Sequence, residues 1–275
     1  MQRAFDIPEK YYPFESRFFE TPGGFLMHYL DEGEGAPLIM VHGNPTWSFF
    51  FRDLVCDLRH EHRCIVPDHI GCGLSDKPGD KDYEYTLSSR VDDLEALIES
   101  LDLGDKITLV LHDWGGMIGM SWAARHPERV ARIVLMNTAA FRKPESKKIP
   151  LSLRLARTPL GTVLVRGFNA FSYCATKMCV NKTSLPEEIS RLYRAPYNSW
   201  KNRIATLRFV QDIPLKEDDP AYATALKTEK ALEGFRGKPT LMCWGLKDFV
   251  FGPHFLAEWL KFLPDADVHR WPEAG

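Results

Sequence analysis

Leu111-His112-Asp113-Trp114-Gly115-Gly116 follows the apolar run Lys106-Ile-Thr-Leu-Val-Leu111 and precedes a helical pattern over Met117–Arg125. So dense an apolar run reads as a strand buried on both faces, which makes the hexapeptide a strand-to-helix turn. A tight turn at such a junction lifts one side chain above the sheet, and the glycines let strand and helix approach closely. Here the lifted side chain is a carboxylate. An exposed Asp is ionised at neutral pH and attacks carbon without a general base. Asp113 therefore suits displacement at a saturated carbon, through a covalent ester. Capping of the following helix is the competing role for an Asp at this position, but it does not account for the residues around it.

Working outward, strand-like runs recur near Arg17–Glu20, Phe25–Leu30, Pro37–Val41, Arg63–Val66, Ala131–Met136, Pro239–Trp244 and Ala266–Trp271. Helical periodicity fills Trp47–Leu58, Leu87–Leu101 and His254–Leu263. This alternation predicts an α/β protein with a mostly parallel sheet covered by helices on both faces. Between Phe141 and Phe235 the rhythm breaks into short amphipathic helices interrupted by Pro150, Pro159, Pro186, Pro196, Pro214 and Pro220, with no strand signal. The expected organisation is a core of residues 1–140 and 236–275 with a helical lid at 141–235. Ligands of open α/β sheets bind at the carboxyl ends of the strands, where a lid would exclude water.

The composition, 44% hydrophobic and 26% charged over 275 residues, fits one soluble α/β domain with an insertion. A net charge of −2 gives no overall basic footprint for nucleic acid and no polybasic patch for a membrane surface. No apolar run approaches the ~20 residues that span a bilayer, and the first ten residues lack the apolar core of a signal peptide. The six cysteines are scattered, without C-x-x-C pairs or metal-ligand spacing, so a reducing cytoplasm and no metal are expected. Arg142–Lys148 reads as a solvated charged loop.

A second loop, His42-Gly43-Asn44-Pro45-Thr46-Trp47, directly follows the strand ending at Val41. The backbone N–H groups of Asn44 and Trp114 are the expected oxyanion donors. Their side chains, an amide and an indole, each add an N–H. Donors with no cation beside them suit a diffuse anion such as halide, or a leaving oxygen.

HGNPTW at 42–47, PDHIGCGLSDKP at 67–78, HDWGG at 112–116 and HPERV at 126–130 together resemble the haloalkane dehalogenases of the α/β-hydrolase superfamily. The resemblance implies the α/β-hydrolase fold, a small apolar substrate and no cofactor. It further implies that Asn44 and Trp114 stabilise the leaving group, that Asp113 is alkylated, and that a His-activated water cleaves the ester. Many dehalogenases carry the acid that orients the base after the strand preceding the lid, where this chain has Asn137. Trp244-Gly-Leu-Lys-Asp248-Phe-Val-Phe matches the alternative position, making Asp248 the orienting acid. The base is expected directly after Trp271-Pro-Glu-Ala-Gly275, where this chain ends, so the base and a final helix are expected beyond it. Neither His254 nor His269 fits the motif. Since attack by Asp113 needs no His, the chain ending at Gly275 is expected to form the ester and turn over slowly.

Residues 68–78 and Asn137-Thr-Ala-Ala-Phe141 also look like the cis-β-lactone decarboxylases of bacterial long-chain olefin synthesis. In that branch Asp113 opens a four-membered lactone, loss of carbon dioxide gives an alkene, and pathway enzymes become plausible partners. Epoxide hydrolases are a third reading, with Tyr173, Tyr193 or Tyr197 as proton donor, although that family typically has an aromatic residue in place of Asn44. A non-catalytic binding protein on a hydrolase scaffold is the fourth. His42 and His112 are expected to hold loops by hydrogen bonds, and Phe168, Phe171, Tyr173 and Met178 to form lid core.

Overall fold

The computed structural model describes residues 5–144, 148–180 and 183–275. Its strands are β1 (Arg17–Glu20), β2 (Leu26–Glu32), β3 (Ala36–Val41), β4 (His62–Pro67), β5 (Ile107–Asp113), β6 (Val130–Thr138), β7 (Thr240–Gly245) and β8 (Asp267–Trp271). They form one sheet in the order β1-β2-β4-β3-β5-β6-β7-β8. β2 pairs antiparallel with β1 and β4, and every other pairing is parallel. The expected α/β architecture is present. Inner parallel strands need apolar side chains on both faces, and every residue of Pro37–Val41 and Ile107–Leu111 is buried. Register sets Val41 beside Leu111, so the loops leaving β3 and β5 emerge side by side.

The helices are α1 (Arg52–Leu58), α2 (Leu87–Ser100), α3 (Trp114–Arg125), α4 (Leu151–Ala156), α5 (Pro159–Thr162), α6 (Ala170–Met178), α7 (Glu187–Arg194), α8 (Ile204–Gln211), α9 (Tyr222–Ala231) and α10 (Pro253–Phe262). The helix expected over Trp47–Leu58 begins as a 3-10 turn at Ser48–Phe51 and continues as α1. Thr86 caps α2 by accepting from the Ser89 N–H, satisfying one of the backbone donors that a helix start leaves open.

From β6 to β7 the chain runs through α4–α9 without a strand among the described residues. Ala156, Val165, Leu207 and Val210 give this excursion a small core of its own, with Leu153, Phe171 and Ile213 packed against it. α8 also reaches the main core through Ile204, Ala205 and Phe209. Arg90 of α2 fastens it there: its fully buried guanidinium lies 3.7 Å from the Phe209 ring centroid and 3.4 Å from Asp212. α9 packs on α3, where the Ser121 and Thr228 hydroxyls meet at 2.7 Å.

Two expectations need correction. Of the aromatic and Met residues read as lid core, only Phe171 packs inward; Phe168, Tyr173 and Met178 are exposed. For Phe168 the reason is local: Asn169 sits at φ 54° and breaks the helix, so Phe168 is out of register with the residues that follow. Arg142 is solvated but not free: its guanidinium, 39% exposed, is clamped on both carboxylate oxygens of Glu229 (2.9 and 3.0 Å) and on the Tyr222 hydroxyl. Residues 145–147 of that loop lie outside the described residues, as do residues 1–4. All six cysteines are unpaired, and no described helix is long and apolar enough to cross a membrane.

Candidate active site

Asp113 is the last residue of β5, and its backbone stands at φ 53°, ψ −125°. That left-handed conformation is costly for a residue with a Cβ. It turns the chain sharply into α3 and projects the carboxylate at the carboxyl end of the sheet. Two glycines make room. A Cβ on Gly115 would strike the Val41 carbonyl, and one on Gly43 would strike the Asp113 carboxylate.

Because β3 and β5 are neighbours, the loop after β3 delivers the Asn44 backbone N–H to Asp113 Oδ1 at 2.7 Å. The Trp114 backbone N–H also donates to this carboxylate. Both expected oxyanion donors thus converge on the Asp113 carboxylate itself. The carboxylate is not exposed. Burial pushes its pKa up to about 7, against the two N–H donors, and the charge of Asp248 pushes the same way. The sequence reading of a fully ionised Asp113 is corrected accordingly, since a carboxylate removed from water loses hydration that favours its charge.

The side chains of Asn44 and Trp114 face the excursion. Asn44 Nδ2 donates to the Thr206 carbonyl of α8 at 3.0 Å, which fixes which end of the amide is nitrogen. A primary amide has two N–H groups, so one remains for a ligand. Trp114 packs against Phe209 with ring centroids 5.4 Å apart, and its indole N–H has no acceptor among the described residues. Thr206 and Phe209 escaped the sequence reading because no local pattern tells which turn of α8 crosses the mouth of the sheet.

Asp248 follows β7, and its Oδ1 accepts the N–H groups of Val250 (2.7 Å) and Phe251 (2.8 Å). Asn137, at the end of β6, ties this loop down. Its Nδ2 donates to the carbonyls of Gly245 (2.9 Å) and Phe251 (3.2 Å), and its Oδ1 accepts from the Gly245 N–H (2.8 Å). The sequence reading noted Asn137 only for the acid it lacks. Its value lies in having both donors and an acceptor, which a carboxylate does not. The segment after β8 lies alongside the same loop: Lys247 N–H donates to the Ala274 carbonyl at 2.8 Å, and Gly275 packs on the backbone of Lys247 and Asp248.

His42 does hold its loop, with Nδ1 2.8 Å from the Gly43 carbonyl and Nε2 accepting the His69 N–H at 3.2 Å. His112 does not. Its Nδ1 has no partner among the described residues, its ring stacks on Phe50 at 4.1 Å, and burial pushes its pKa down to about 3. His254 and His269 are exposed. Of the candidate proton donors, Tyr197 donates to the Thr46 carbonyl at 3.2 Å, Tyr193 accepts from Arg52 at 3.3 Å, and Tyr173 is exposed.

Beneath the loop after β3, fully buried Asp68 accepts the Ser48 N–H at 2.6 Å, the Leu74 N–H at 2.9 Å and a contact from His28 Nδ1 at 2.8 Å. Glu95, Glu99 and His126 offer ligand atoms within 4.8 Å of one another, but Glu95 is already paired with Arg125 and His126. They lie at the far end of α3 from Asp113.

The alpha/beta hydrolase fold family matches residues 36–275. Among curated relatives, the cis-3-alkyl-4-alkyloxetan-2-one decarboxylase of Shewanella oneidensis is 55% identical over 96% of this chain and 83% of its own length. Haloalkane dehalogenase 2 of Mycobacterium tuberculosis is 33% identical over 96% and 89% respectively. The crystal structure of haloalkane dehalogenase DatA from Agrobacterium tumefaciens C58 superposes with a TM-score of 0.80 at 27% identity, covering 93% of this chain and 88% of that one. With a family match over residues 36–275, the chain belongs to the alpha/beta hydrolase fold family.

Proposed function

We propose that this chain decarboxylates cis-3,4-dialkyl oxetan-2-ones, with Asp113 as nucleophile and Asn44 and Trp114 holding the leaving carboxylate. The observation that carries this reading is the setting of Asp113: a covered carboxylate held by two backbone N–H groups, from residues whose side chains each keep an uncommitted N–H for an anion. The identity of 55% to a decarboxylase, against 33% to a dehalogenase, favours the lactone as the source of that anion.

The chemistry balances without water. An Asp113 oxygen attacks ring C4, the C4–O1 bond breaks, and O1 departs as part of a carboxylate held by Asn44 and Trp114. The resulting alkyl ester carries that carboxylate on C3. The C2–C3 bond pair then forms the C3=C4 double bond and expels Asp113 from C4, while C2 leaves with both oxygens as carbon dioxide. Inversion at C4 sets the ester oxygen anti to the departing carboxylate, so cis alkyl groups yield the cis alkene.

Dehalogenation is the second reading, favoured by the same N–H pair, which equally fits halide. There the ester must be hydrolysed, and Asp248 would orient the base. A histidine following Gly275, as the family resemblance implies, would start beside Asp248, because Gly275 packs on that loop. We take 141–235 as the lid, with α9 doubling as the crossover helix onto α3. Enzymes that form β-lactones are the proposed pathway partners, and six unpaired cysteines fit a reducing cytoplasm.

The test gives the protein a long-chain cis-β-lactone and a 1-bromoalkane in parallel in ¹⁸O-water. Expected are cis-alkene from the lactone, little bromide, and an Asp113 peptide that stays unlabelled after many lactone turnovers. Bromide release with ¹⁸O entering Asp113 and no alkene would replace the lactone reading with hydrolytic dehalogenation.

A further inference from the structure

The net charge of −2 conceals an uneven distribution. Residues 148–180 contain Lys148, Arg154, Arg157, Arg166 and Lys177 and no Asp or Glu. The same stretch, with the neighbouring Trp200, displays most of the large apolar side chains open to solvent. Leu151 is 77% exposed, Phe168 74%, Leu160 59%, and Val163 and Trp200 47% each. Outside the lid only Phe18, Phe249 and Trp271 join them among the described residues.

These side chains lie on successive elements that pack on one another. Leu151 and Leu155 are one turn apart on α4, on the side away from Leu153 and Ala156, which pack inward. Gly161 of α5 abuts the Leu155 carbonyl and Ala156, and Val163 and Trp200 flank Gly167. Arg166 lies 4.8 Å over the Trp200 ring. Arg157, Arg166 and Lys177 are paired with Asp219, Asp80 and Glu187. Lys148 and Arg154 are exposed and make no ion pair among the described residues, so the uncompensated charge lies beside Leu151.

We propose that this face of the lid docks on the surface of an anionic lipid bilayer. Exposed apolar surface of this extent marks an interaction site. Large apolar side chains flanked by unpaired cations, with no acid in the stretch, complement an acyl boundary beneath negative headgroups. Indole side chains favour that boundary as well. The contact is peripheral, since no described helix is long and apolar enough to cross a membrane. Whole-chain charge gave no reason to expect this; the proposal rests on the acid-free lid stretch. The proposal does not depend on which reaction Asp113 performs.

Vesicle flotation tests it, using phosphatidylcholine alone and phosphatidylcholine mixed with phosphatidylglycerol, at low and high salt. The protein should float with the anionic vesicles, at least about tenfold more weakly with the neutral ones, and less at high salt. Leu151→Asp with Phe168→Asp should abolish flotation. Lys148→Gln with Arg154→Gln should weaken it roughly fivefold per cation removed. Circular dichroism melting would establish that both variants fold. The proposal is overturned if the unaltered protein does not float, if neither folded variant changes flotation, or if the apolar variant instead loses self-association in lipid-free solution.

Discussion

At the scale of single residues, the decisive property is the proton on Asp113. Attack requires the ionised carboxylate, and burial pushes its pKa up to about 7. Turnover should therefore climb as pH rises from 5.5 to 8, with half its plateau near 7, and fall as the carboxyl protonates below that. A rate flat across this range would contradict a buried nucleophile; alkene release against pH measures it. Asp113→Asn should lower kcat by at least about 10⁴-fold. That Asp113, Asn44 and Trp114 converge was legible in sequence because each sits beside a buried strand in a short, glycine-marked loop. The elevated proton affinity was not legible, since it arises from how completely other elements cover the carboxylate.

At the scale of elements, the link between β6 and β7 carries the next expectation. Asn137 binds Gly245 and Phe251 through three hydrogen bonds and so braces the loop of Asp248. Asn137→Ala should cost about 2 kcal/mol, from a typical net value near 1 for each well-made bond less partial rehydration. Denaturant unfolding would measure it. A loss within 0.5 kcal/mol would show that the Trp244 indole bond to the Phe251 carbonyl, 2.8 Å long, braces the loop alone. The strands themselves were readable to within about two residues, because buried parallel strands are continuous apolar runs. Their carboxyl ends ran past the apolar stretch: β5 includes His112 and Asp113, and β6 includes Asn137 and Thr138. There polar side chains continue the ladder at the edge of the candidate site. The helical excursion was readable as helical and no further. Its packing depends on crossings such as Phe209 between Arg90 and Trp114, which have no signature in either partner's local sequence.

At the scale of the whole molecule, Asp68 couples β2, β4 and the donor loop through one buried carboxylate. Burial opposes its ionisation, but the imidazoles of His28 and His42 and the Leu74 N–H outweigh that and hold its carboxyl well below the usual range. A carboxyl lowered in this way contributes stability that is present above its unfolded value near 3.8 and lost as pH falls below it. Asp68→Asn should cost about 3 kcal/mol at pH 7, by leaving buried partners of the charge unmatched. Its deficit against the unaltered protein should narrow on acidification below pH 4, as followed by urea unfolding. A deficit constant from pH 7 to 3 would rule out this charge as the source.

The left-handed backbone at Asp113 has a consequence for heat tolerance. A conformation that a side-chain-bearing residue tolerates only at a cost of ~1–3 kcal/mol is adopted at the proposed nucleophile. Glycine and alanine there lose the same hydrogen bonds from Asn44 and Trp114, but only glycine relaxes the turn, so Asp113→Gly should melt several degrees above Asp113→Ala. The gap between those two variants measures the heat tolerance that this turn gives up.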